Sequence, residues 1–247
     1  MLTRKVTVIT KRYLFIIIFL IGFISCNKEV EPIVIIGRSV EAHGGLESWK
    51  QLKSLSFTKK TVLYNEDGSV KKNVTQDQAF LFNTSSSGTL DAVIDTISYR
   101  LEDDKVLVKL GDQYYDLENA ERDAKKKLVN SALYVVSQPF QLLESSATFE
   151  RKSDTVFGDK PTFSIRVKYP GDSPSSDQWT YYFDQDSFRV VACKVKHNNR
   201  VSIIENISYD RSTPFLFNAT RKSTIMDGSN PKFVIAEYEY SNYKVTF

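Results

Sequence analysis

Alternation is the feature that most constrains this chain. Leu55, Phe57 and Lys59 lie on one phase of a two-residue period. The same holds for Phe80 and Phe82, for Val106, Val108 and Leu110, and for Phe163, Ile165 and Val167. Trp179, Tyr181 and Phe183 continue it, as do Phe215 and Phe217. Such runs, joined by short polar turns, are antiparallel strands with one covered face. About eleven can be placed. Turn chemistry supports the breaks at Glu66-Asp67-Gly68, Gly158-Asp159-Lys160-Pro161, Asp184-Gln185-Asp186 and Asp227-Gly228. Composition agrees, with 16 Phe and 13 Tyr against 2 Met and 2 His, since aromatic and β-branched residues favour strands.

Helical signals are few. Ile33 to His43 follows Pro32 and stops at Gly44-Gly45. Leu46 to Leu52 adds a short turn carrying Trp49. Asn119 to Val136 is the long helix, with an apolar stripe through Leu128, Ala132, Leu133 and Val136 and a stop at Pro139. A meandering sheet with so few helices cannot cover itself while flat. The expected class is therefore mainly β (α+β): a curled antiparallel sheet, or incomplete barrel, whose helices cap the mouth.

The first 25 residues read as a processing signal. Arg4, Lys5, Lys11 and Arg12 precede an apolar run of 11 residues, Leu14 to Ile24. Spanning a bilayer takes about 20 residues, whereas a signal-peptide core is this short. Ser25-Cys26 at the end of the run resembles a bacterial lipobox, with Phe23 where Leu is usual. That resemblance implies cleavage before Cys26 and lipid on its thiol; a plain secretory signal is the alternative. Residues 26–32 would then be a lipidated tether, and 33–247 a single domain without internal repeat or linker. Loops are expected at Asn83 to Gly88 and Pro170 to Asp177.

Removing residues 1–25 takes away four basic and no acidic residues, leaving 29 basic against 30 acidic. The basic character of the full chain thus belongs to the signal, and no nucleic-acid partner is implied. With Cys26 lipidated, Cys193 has no partner and no disulfide is expected. Asp does not follow Cys26, so an inner-membrane retention signal is absent. Lys28-Glu29 with Glu31 loosely resembles an acidic surface-export tag. An outer-membrane lipoprotein on the periplasmic side or the cell surface is expected.

Several segments resemble known sequences. The first helix, His43-Gly44-Gly45, Trp49, Leu52 and the strand Leu55-Ser56-Phe57-Thr58 resemble the opening of an uncharacterised bacterial lipoprotein family. Thr155 to Val167, and Trp179 to Asp184 with Phe188-Arg189-Val190-Val191, resemble two central hairpins of lipoprotein carriers of the LolA/LolB/LppX-like superfamily. The resemblance implies a curled half-barrel of about eleven strands, capped by helices, holding acyl chains on its concave face. Its motifs are architectural and none is catalytic.

The chain carries no G-x-S-x-G, no H-E-x-x-H, no phosphate-cradling loop and no close-spaced metal-ligand motif. No cofactor, no metal and no enzymatic step is expected, although a Ser-His-Asp triad need not show in sequence. His43 reads as a helix cap and Trp49 as a plug between helix and sheet. Lys125-Lys126-Lys127 reads as a wet helix face. The N-x-[ST] matches at Asn73, Asn83, Asn206 and Asn218 carry no weight in a bacterial lipoprotein.

The expected function is a monomeric, membrane-anchored carrier binding a lipid or other apolar small molecule. A filled structural or protein-docking lipoprotein is the alternative, and an envelope lipid esterase a third. The candidate ligand-binding residues are Phe57, Phe80, Phe82, Phe163, Trp179, Tyr181, Phe183, His197 and Glu205, with Cys26 the lipidation site. His197 and Glu205 enter through register. A three-residue loop at 198–200 pairs 197 with 201, 195 with 203 and 193 with 205, bringing both apolar sets to the covered face beside His197 and Glu205. A two-residue turn would place those sets on opposite faces.

Overall fold

The first and last strands lie side by side. In the computed structural model, which describes residues 30–82, 89–171 and 176–247, β1 (Ser54–Tyr64) pairs antiparallel with β13 (Asn230–Thr246). Around this seam the sheet grows in two directions. β2 (Val70–Phe82), β3 (Thr89–Ile94), β4 (Ile97–Glu102), β5 (Lys105–Leu110) and β6 (Gln113–Asp116) meander to one edge. The chain then crosses through α3 (Asn119–Val136) and α4 (Phe140–Glu144) to the opposite edge. From there β7 (Thr148–Phe157), β8 (Lys160–Lys168), β9 (Gln178–Asp184), β10 (Val190–His197), β11 (Arg200–Asp210) and β12 (Phe217–Asp227) meander back to β13. Ahead of the sheet come α1 (Pro32–Ala42) and α2 (Leu46–Lys50). The described residues from Glu31 onward make one compact unit.

The sheet is mainly antiparallel β with capping helices, as expected, and it does not close, because β6 and β7 are both edges. It has 13 strands rather than about eleven. The short strands were the hardest to read: the four residues of β6 are all exposed, so they show no apolar alternation. The signal, Cys26 and most of the tether, the loop at 83–88 with its Asn83 match, and residues 172–175 of the second loop lie outside the described residues.

Local chemistry fixes the entry to the sheet. Pro32 opens α1, where its missing N–H costs nothing. At the far end the His43 ring donates Nδ1–H to the Ser39 carbonyl at 2.8 Å, the capping role read from sequence. Burial lowers its pKa to about 4, so the imidazole is neutral. Gly44 has φ +124°, and a Cβ there would lie 2.7 Å from Phe215 Cδ1 and 3.0 Å from the Pro214 carbonyl oxygen. Glycine is required on both counts, and the close approach lets Leu216 N–H donate to the His43 carbonyl at 3.0 Å.

Two apolar clusters cover the inner face of the sheet. One gathers Leu55, Phe57, Phe80, Tyr99, Phe217 and Tyr240 against Val40, Trp49, Val129, Val136 and Phe140. The other gathers Ile165, Val167, Tyr181, Phe183 and Cys193 against Ile35, Ile36 and Leu142. α1 and α4 contribute to both, and Leu143 touches both.

Two expectations about α3 change. Its bounds agree with the reading, but the buried residues are Val129, Ala132 and Val136, while Leu128 is 40% exposed. Ala132, Leu133 and Val136 of the expected stripe pack against the first cluster, and Val129 takes the place expected of Leu128. Lys127 is exposed as expected, while Lys125 and Lys126 are half-buried: the Lys125 ammonium sits 6.0 Å from the centre of the Tyr99 ring. Lys126 donates to the Asp103 carbonyl at 3.1 Å, so both tie the helix to the sheet.

The register of β10 and β11 also corrects the reading. His197 pairs with Arg200, Val195 with Ser202, Cys193 with Ile204 and Ala192 with Glu205. The turn is two residues, with Asn198 at φ +52°. Cys193 faces inward, but Glu205 faces outward, where Lys222 reaches it at 3.7 Å. The imidazole of His197 is 64% exposed and bonds the Asp177 carboxylate. The premise that failed is that the covered face must be apolar. Asn206 faces inward and donates to the Val190 carbonyl at 2.6 Å, accepting from Arg221 at 2.8 Å. Satisfying this polar pair turns Ile203 and Ile207 outward.

Candidate ligand-binding site

The crossover of α3 and α4 leaves a cleft on each side. A space of about 390 Å³ lies between Trp49, Leu52, Phe82 and Leu90 on one wall and Leu133 and Gln141 on the other. A second, of about 580 Å³, lies between Asn130, Tyr134 and Gln141 of the helices and Tyr169 and Trp179 of the sheet side. Gln141 belongs to both, its Oε1 accepting from Ser137 Oγ at 2.8 Å. A third recess of about 620 Å³ has Ser56, Asp77, Asp210 and Asn242 among its mainly polar lining residues, with Phe57, Val93 and Tyr243 beside them.

Aromatic stacking builds the first cleft. Trp49 lies flat on Phe140, ring centres 4.4 Å apart, and Phe82 stands 6.1 Å away. The indole N–H donates to Glu144 Oε2 at 3.2 Å. Trp49 is thus the plug read from sequence and also a cleft wall. Tyrosine hydroxyls build the second. Tyr134 Oη bonds Tyr169 Oη at 2.7 Å and also bonds Tyr181 Oη. Burial, first, and the neighbouring hydroxyls push the pKa values of Tyr134 and Tyr181 well up, so both phenols stay neutral. The walls offer apolar surface and a few polar groups, with Lys50 and Glu144 at the first cleft and neutral hydroxyls at the second, a mixture suited to amphiphiles.

The sequence-derived candidates separate into three groups. Phe82 and Trp179 line the two clefts. Phe57, Phe80, Tyr181 and Phe183 are core residues, each at most 3% exposed, although Phe57 also borders the polar recess. Phe163 is half-buried between Phe188 and the Arg151 guanidinium. His197 and Glu205 line neither cleft. Tyr134, Gln141, Glu144 and Tyr169 went unnoticed, because single polar residues beside a helix end or a proline carry no periodic signal. Among the described residues no group of three or more His, Cys, Asp or Glu could hold a metal ion, and no helix is long and apolar enough to cross a membrane.

The fold has counterparts among solved structures. A LolA superfamily protein from Nitrosomonas europaea superposes with TM-score 0.54 over 87% of this chain and 93% of its own, at 10% identity. The fold is LolA-like. A DUF1329 family protein from Desulfovibrio piger gives the same score over the same shares, at 7% identity. No protein-family model matches the sequence, and no curated protein is significantly similar to it. At these identities the likeness is one of fold, and the LolA-like sheet leaves function to be argued from the clefts.

Proposed function

We propose that this LolA-like protein is an envelope lipoprotein that reversibly holds the acyl portion of a lipid against the inner face of its sheet. The binding is non-enzymatic. The observation that carries the reading is the incomplete filling of that face: two clefts of about 390 and 580 Å³ flank the helical crossover, within the size range of small-molecule sites. Burial of apolar area drives it, at about 0.8 kcal/mol per methylene. A chain of a dozen methylenes gains roughly 10 kcal/mol gross, comparable to the cost of association, so only a chain buried along most of its length is retained. Cys26 supports a membrane tether, since an acylated thiol a few residues before α1 holds the domain at a bilayer surface.

The test is displacement of a fluorescent fatty acid. Saturable uptake that falls at least tenfold when Leu133→Asp places a charge in the first cleft and Trp179→Asp one in the second supports the reading. Absence of saturable uptake by the unaltered protein contradicts it, leaving the filled, protein-docking alternative. Separately, Cys26→Ser is expected to release the protein from membranes at high salt; full retention contradicts the tether.

A further inference from the structure

Among the described residues, Lys59 and Arg221 on the inner face have no carboxylate as counter-ion. Alternation sends Lys60, Glu237 and Glu239 to the outer face, where Lys60 reaches Glu239 at 3.3 Å and Glu237 accepts from Tyr64 at 2.6 Å. Lys222 and Glu205 pair there too. The opposite phase leaves Lys59 on β1 and Arg221 on β12 facing inward. They bracket β13: Lys59 is paired with Tyr240 and Arg221 with Tyr238.

Arg221 is 8% exposed. Its Nε donates to Asn206 Oδ1 at 2.8 Å, its Nη2 lies 3.9 Å from Cys193 Sγ, and the Tyr240 hydroxyl is a further close neighbour. The Lys59 ammonium lies 5.2 Å from the centre of the Tyr238 ring and 5.9 Å from that of Tyr240. Among the described residues no carboxylate pairs with either. Burial, and then the charge of Arg221, lowers the Lys59 pKa. A desolvated guanidinium with only neutral partners is costly, and a second cation beside it adds repulsion. Tyr240 belongs to the first apolar cluster and Cys193 to the second, so the pair sits where the two apolar halves meet.

We infer that Lys59 and Arg221, framed by Tyr238 and Tyr240, receive a single anionic group, the carboxylate or phosphate ester of an amphiphile whose tail lies along the apolar inner face. Guanidinium and ammonium together match the oxygens of either group. The inference rests on the acyl-binding reading and adds the polarity of the ligand's head.

Binding of dodecanoate, dodecyl phosphate and dodecanol to the delipidated mature protein tests it. At least one anion is expected to bind about tenfold or more tightly than dodecanol, and the better anion identifies the head. Arg221→Gln removes a charge with three side-chain partners and endangers the fold, so Lys59→Met is the main variant, with thermal unfolding as its control. It is expected to bring the anions to within threefold of dodecanol and to leave dodecanol binding unchanged. Equal binding of all three by the unaltered protein overturns the anion site and leaves the acyl reading standing. So does a preference that survives in both variants. Failure of all three to bind overturns both.

Discussion

The indole of Trp49 and the ring of Phe140 are parallel to within 2°, with centres 4.4 Å apart. The contact joins α2, at the start of the sheet, to α4, which brings the chain across to the far edge. It therefore ties the crossover to the seam between β1 and β13. Trp49 is 8% exposed, and truncating a buried tryptophan costs about 3–5 kcal/mol. Trp49→Ala is expected to lower the melting temperature by roughly 10 °C. Trp49→Phe keeps a stacked ring but loses the hydrogen bond to Glu144 and part of the indole's packing, so it should cost less than Trp49→Ala, about 1–2 kcal/mol. Equal losses in the two variants would contradict the stacking role.

The phase of α3 is tested by two neighbours. Val129 is fully buried and Leu128 is 40% exposed. Val129→Asp places a carboxylate in the first cluster and should cost about 3 kcal/mol or more. Leu128→Asp should cost less than about 1 kcal/mol. Chemical denaturation of both distinguishes this phase from the reverse.

Two glycines should respond in opposite senses. Gly44→Ala strains a φ of +124° and drives a methyl into Phe215 and the Pro214 carbonyl, so a loss of at least about 2 kcal/mol is expected. Gly37 lies inside α1 with nothing within 4 Å of a built Cβ, and Gly37→Ala should add about 0.5–1 kcal/mol. The order of the two unfolding midpoints checks both.

His43 supplies a pH dependence. Its pKa is lowered from 6.5 to about 4, chiefly by burial. The unfolded state therefore binds the proton more readily than the folded one. The stability that neutral His43 contributes is complete above pH 6.5 and is lost as pH falls toward 4, with a total of roughly 3 kcal/mol. Carboxylates titrate in the same window, so the informative quantity is the difference from His43→Asn. That difference should shrink from pH 7 to pH 4; a constant difference would contradict a buried neutral imidazole.

Much of the sheet is legible in the sequence because period-2 runs and Gly- or Asp-containing turns are local. Phe163 to Val167 and Trp179 to Phe183 show it, and the bounds of α3 follow from Pro139 and the polar entry at Asn119. The choice of Val129 over Leu128 as the buried residue of α3 is not legible, since both are apolar and only the packing of the crossover chooses between them. The register of the hairpin at Asn198-Asn199 is hidden for a related reason. Reading the inner face as apolar overlooks Arg221, which shares a phase with Phe217 and Ile225. An arginine on an otherwise apolar phase was the available sign of a polar interior. The clefts themselves are non-local: Trp49, Phe82, Leu133 and Gln141 come from four separate elements.

The central claim, that the inner face holds an acyl ligand, is tested most directly by native mass spectrometry of the mature protein carrying Cys26→Ser, so that no covalent lipid confuses the mass. The expected result is an added mass equal to one or more fatty acids or phospholipids, absent from the doubly altered Leu133→Asp, Trp179→Asp protein. A spectrum showing only the bare polypeptide, with no adduct after incubation with lipid vesicles, would contradict the account.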